Sequence, residues 1–176
     1  TLNVLNNDVQ SYNTAMGYAA GLSISTGIQN TLIGGLAGDA LTDADFNVAI
    51  GISTLSSDTK GNRNVAIGYA ALEAQNFTTS TDSYNTAVGA LAGLSITTGS
   101  QYTFIGGLAG DATTTASNNT ALGYLALSAN TTGEVNTAIG VASLDANNTG
   151  ASNVAVGGGA LGANTTASNN TAVGKD

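Results

Sequence analysis

Asn64-Val65-Ala66-Ile67-Gly68 is the phrase whose reading decides the fold. It stands unchanged at Asn47 to Gly51, as Asn-Thr-Ala-Met-Gly at Asn13 to Gly17, and as Asn-Thr-Ala-Val-Gly at Asn85 to Gly89 and Asn170 to Gly174. Its closing glycine returns at Gly17, Gly34, Gly51, Gly68, Gly89, Gly106, Gly123, Gly140, Gly157 and Gly174. The interval is 17 residues throughout, except for 21 between Gly68 and Gly89. A fixed period of this size marks a solenoid, in which each coil is one unit stacked on its neighbours. The expected fold is therefore all-β: a parallel β-solenoid of about ten 17-residue coils. The array covers 13–176, with 1–12 as an incomplete N-terminal coil or cap and a four-residue corner insertion within 75–84.

Counting each coil from its Asn, position 4 is Met16, Ile33, Ile50, Ile67, Val88, Ile105, Leu122, Ile139, Val156 and Val173. An always-aliphatic, mostly β-branched column predicts a strand whose inner ladder faces a dry interior. Position 2, Thr or Val, is expected on the same face, and position 3, usually Ala, on the other. Position 1 is Asn in every coil but the one opening at Tyr102, which predicts an amide ladder. Alternating Leu and Ala, as in Leu127 to Ala129, predict a second short strand before an Asn-Thr-Thr-Gly corner. The repeated glycine is expected to be structural, through positive φ or close approach of a neighbouring backbone. Residues 12–40 and 84–112 agree at 22 of 29 positions, so a four-coil block is duplicated.

Composition narrows the chemistry. The chain holds no Cys, His, Pro or Trp, and three cations against eleven carboxylates give a net charge of −8. Without thiol or imidazole there is no soft-metal site and no side chain of the usual base type. The negative charge disfavours nucleic acid and anionic membrane, and no apolar run reaches membrane-spanning length. The expectation is a non-enzyme with no cofactor, no metal site and no catalytic residue. The start without Met and the stop within a coil read as a segment of a longer protein.

Several residues are candidates for more than packing. Asp39, Asp43 and Asp45 cluster in one coil, as in an oxygen-rich calcium site, although a solvated acidic corner is the plainer reading. Paired Thr at 97–98, 114–115, 131–132 and 165–166 form a column suited to ice or another ordered surface. Carboxylates on a tailspike-like solenoid are the third alternative, a carbohydrate-processing fragment. A thin coil buries few aliphatic groups, while Tyr18, Tyr69, Tyr124, Leu108 and Leu125 form an apolar stripe at positions 6 and 7. That stripe, with Phe77 on the inserted corner, is the expected binding or interface surface.

The phrases Asn136-Thr-Ala-Ile-Gly140 and Asn64-Val-Ala-Ile-Gly-Tyr-Ala-Ala-Leu72 resemble head repeats of trimeric autotransporter adhesins, and the whole array over 13–176 resembles the Asn-Thr-Ala-Val-Gly arrays of phage tail fibres. The resemblance implies a left-handed parallel β-roll, three chains side by side, and a stiff extracellular rod used for attachment. It also implies the partners: further copies, side by side as a homo-oligomer or end to end as a filament, and a cell-surface glycan or protein receptor.

Overall fold

The computed structural model describes residues 10–176; residues 1–9 of the expected cap lie outside the described residues. Every coil contributes one three-residue strand at positions 2 to 4, from Thr14–Met16 through Val65–Ile67 to Thr171–Val173. The ten strands form one parallel sheet in chain order, with a two-stranded sheet of Gly61–Asn62 and Thr81–Asp82 beside it. Register follows the repeat: Val48 pairs with Val65, Thr137 with Val154, and across the insertion Val65 with Thr86. The chain is a β-solenoid without helix among the described residues.

The interior lies on the opposite side of the strand from the one its aliphatic column predicts. Position 3, Ala in most coils with Leu32 and Phe104 as exceptions, is the buried column. Met16, Ile33, Ile50, Ile67, Val88, Ile105, Leu122, Ile139, Val156 and Val173 point outward, from half-buried to exposed; Met16 keeps 63% of its surface and Val173 77%. Strand alternation was read correctly, but the inside was assigned to the wrong phase. The physical reason is the width of the coil. Its interior is so narrow that the strand sends in only a methyl group in most coils and larger side chains enter from the facing segment, whereas Leu32 and Phe104 enter from the strand opposite Gly38 and Gly110.

That facing segment is not a second strand. Positions 7 and 9 both take left-handed backbone, as at Leu125 (φ 57°) and Leu127 (φ 58°), so the Leu-x-Ala stretch folds as consecutive turns. Carbonyls and amides still meet between coils, with the Leu127 N–H donating to Ser143 O at 3.0 Å. Inside, position 8 is small and positions 9 and 12 share the remaining volume. Where position 9 is Leu55, Leu127 or Leu144, position 12 is the polar Asp58, Asn130 or Asn147; where position 9 is Gly38 or Gly93, position 12 is Leu41 or Ile96. Large and small alternate so that each layer is filled.

Two features lock coil to coil. The phrase-final glycines all have φ between 127° and 142°, which L side chains rarely adopt. A Cβ on Gly123 would also lie 2.5 Å from Gly140 O in the next coil. Both reasons anticipated for the glycine operate together. The second lock is the Asn column. Asn47 N–H donates to Asn30 Oδ1 (2.9 Å), while Asn47 Nδ2 donates to Gly61 O (2.9 Å) at the far corner of its own coil. Asn30, Asn136 and Asn153 likewise serve one backbone amide of the next coil and one carbonyl across their own, a buried accounting that a primary amide completes.

Candidate functional site

The outward face of the ten-stranded sheet is the dominant feature of the surface. Strand alternation places positions 2 and 4 on it. Position 6 continues it on one flank with Tyr18, Ile52, Tyr69, Tyr124 and Val141, all exposed. On the other flank stands the residue before each Asn, including Tyr12, Phe46, Tyr84 and Val135, also exposed. Across these four columns Arg63 and Lys175 are the only charged residues. Position 4 gives the face an unbroken aliphatic column, beside a position 2 that is Thr or Val; the flank before each Asn is mixed, with Gln29, Arg63, Gln101, Asn118, Ser152 and Asn169 among its aromatics.

The expected interface residues divide. Tyr18, Tyr69 and Tyr124 stand on this face, whereas Leu108 and Leu125 are half-buried at left-handed turn positions. Phe77 is the correction: it is only 7% exposed, folded inward beneath the inserted corner. Its N–H donates to Asp58 Oδ1 at 2.9 Å. Asp58 itself is fully buried, accepting also from Gln75 Nε2 (2.6 Å) and Gly61 N–H (3.1 Å), so it anchors the corner from which the insertion leaves.

Sequence reading missed the Arg63 cluster. Its guanidinium lies 4.5 Å from the Phe46 ring centroid and 5.8 Å from that of Tyr84, while Nε holds Asp82 at 3.1 Å. The hydrogen bond from Arg63, with further help from Asn62 and Tyr84, draws the Asp82 carboxyl below its usual pKa. Three residues that precede successive Asn thus stack as aromatic, cation, aromatic. The signal was present as a column with a 17-residue spacing, stretched once by the insertion.

The acidic trio does not converge. Asp43 pairs with Lys60 (3.6 Å), and Asp45 Oδ1 accepts the Ile28 N–H (2.8 Å). Asp39 is half-buried, and burial raises its pKa. Among the described residues no group of three potential ligands is placed to hold a metal ion. The threonine column at position 13 is committed to the stack: Thr97, Thr114 and Thr131 Oγ1 donate to the next coil's carbonyls at 3.2–3.3 Å. No helix of the described residues is long and apolar enough to cross a membrane. No protein family, curated protein or solved structure matches the chain.

Proposed function

We propose that the chain is a non-catalytic structural and adhesion module of an extracellular fibre, on a virion or a cell surface. In this reading, copies associate side by side through the outward sheet face and build a stiff rod that carries attachment to a cell-surface glycan or protein. The observation that supports it is the apolar face itself. Ten rungs at about 4.8 Å give a face near 45 Å long. A continuous aliphatic column of that length, flanked by exposed Tyr18, Tyr69 and Tyr124, is the kind of surface that marks a contact site. The resemblance of the repeats to adhesin heads and tail fibres supports the fibre and favours three copies. Continuation end to end, coil on coil, is compatible with the same design.

The experiment is immunogold labelling of the source virions or cells with antibodies raised against the folded chain. Gold along extracellular fibres supports the reading; label confined to the cell interior overturns it. One observation favours a second reading, in which the face binds ice or another ordered surface. Seven of its ten position-2 residues are Thr, stacked in register from Thr14 to Thr171. Thermal hysteresis activity would select that reading.

A further inference from the structure

Tyr102 interrupts the amide column, and the interruption leaves one buried corner short of partners. At eight of the nine junctions between coils, the N–H of the residue that opens a coil donates to the side-chain oxygen of the Asn opening the coil before it. At the ninth, the earlier coil opens with Tyr102, and the fully buried Asn119 N–H finds no acceptor among the described residues. Tyr102 also lacks the amide that would donate to Ala116 O across its own coil, as Asn85 donates to Gly99 O (2.9 Å) and Asn119 to Gly133 O (2.8 Å). Thr113 does not replace it, although Asn130 and Asn147 at the same position donate to Gly133 O and Gly150 O. Instead the Tyr102 hydroxyl and Thr113 Oγ1 are both buried without a partner. A Cβ on Gly99 would overlap both Tyr102 Oη and Ala116 O, so these two groups share the corner.

The backbone registers the shortfall. Across this junction the Thr103 N–H reaches Asn119 O at 3.1 Å, whereas every other bond of that column is 2.8–2.9 Å. The Val135 N–H reaches Ser117 O at 3.3 Å, against 2.7–3.1 Å wherever else that column forms. Volume is not the fault, since the Tyr102 and Phe104 rings fill the coil with centroids 4.7 Å apart. The visible irregularity of the chain, its four-residue insertion, is by contrast fully bonded. Asn85 N–H donates to Asn64 Oδ1 (3.1 Å), and Asn85 Nδ2 donates to Gln75 Oε1 (2.8 Å) and Gly99 O (2.9 Å). Ser83 Oγ adds a bond to Asn64 Oδ1 at 2.8 Å. A solenoid coil is held only by its neighbours, so the stack separates most easily at a junction with unpaired buried groups.

We infer that the array opens first between the coils of Tyr102 and Asn119, and so behaves as two cooperative segments, 13–118 and 119–176. Native-state hydrogen exchange of the parent chain tests this. The Thr103 amide should exchange at least about tenfold faster than the Val65 and Thr137 amides, which hold the same strand position on either side. Tyr102→Asn/Phe104→Leu/Thr113→Leu copies the interior of the coil 72 residues earlier, where Asn30, Leu32 and Leu41 stand with Gly38 in the place of Gly110. There the corner is complete: Asn30 Nδ2 donates to Ala44 O (2.8 Å), and Asn30 Oδ1 accepts the Asn47 N–H (2.9 Å). The triple variant should slow Thr103 to the exchange rate of Val65 and Thr137. Tyr102→Phe, which removes only the unpartnered hydroxyl, should melt no lower than the parent. Parent chains in which Thr103 exchanges no faster than Val65 and Thr137 overturn the inference. So does a lowered melting temperature for Tyr102→Phe, or a folded triple variant in which Thr103 still exchanges fast.

Discussion

Phe104 and Gly110 fill one space between them. A Cβ on Gly110 would overlap the Phe104 ring, while the next coil solves the same packing with Ala121 and Leu127. Phe104→Ala should therefore open a cavity and cost about 3–5 kcal/mol. Adding Gly110→Leu should recover part of the loss, because Leu127 already takes the same left-handed backbone (φ 58°) that Gly110 has (φ 59°). Thermal melting of the single and double variants reads this directly. A double variant no more stable than Phe104→Ala would contradict the shared-volume account.

Asn136 illustrates the amide column. It accepts the Asn153 N–H at 3.0 Å and donates to Gly150 O at 2.9 Å from a buried position. Asn136→Leu leaves the buried Asn153 N–H unpaired, at roughly 1–3 kcal/mol, while Gly150 O keeps the bond from Asn147 Nδ2 (2.9 Å). Denaturant unfolding should show a clearly lowered midpoint, and an unchanged midpoint would rule out the ladder as a stabilising element.

Gly123→Val forces a β-branched residue to φ 142° and into the Gly140 carbonyl. Hydrogen exchange should rise across the coils on both sides of the substitution. Gly35→Ala serves as the control, since its Cβ meets open space, and should leave exchange unchanged. Equal effects from the two would remove the distinction between structural and surface glycines.

The period, parallel stacking, register and insertion were legible because they follow from spacing alone. The phase of the strand was not. Ile67 and Ala66 alternate in either assignment, and hydrophobicity favours Ile67 as the inner residue; only the narrowness of the coil puts Ala66 inside. The same narrowness hid the turns, because Leu127 to Ala129 alternates like a strand while Leu125 and Leu127 are left-handed. Phe77 was misplaced because nothing local reveals that the insertion folds back over Asp58. The outward face was legible only in part: Tyr18 and Tyr69 were found on one flank, but the opposite flank with Phe46, Arg63 and Tyr84 was not.

Asp39 and Asp111 occupy equivalent sites in the duplicated block, each with Oδ1 buried and unpartnered. Burial raises the pKa of both above the usual carboxylate value. The folded state then holds protons that the unfolded state has released. The favourable contribution is complete below the ordinary value of 3.8 and is lost as pH rises through the raised folded value. Asp39→Asn with Asp111→Asn should raise the melting temperature at neutral pH, and the gain should vanish below pH 3.8. A gain that persists in acid, or no gain at neutral pH, would contradict the assignment.

The central claim is that position 4 faces a partner copy and not the coil interior. It is tested most directly by sedimentation equilibrium of the parent chain beside the Ile67→Asp/Ile139→Asp double variant. The account predicts a multiple of the 17.2 kDa chain mass for the parent and a folded monomer for the variant. A parent that stays monomeric at high concentration, or a variant that remains associated, would contradict it.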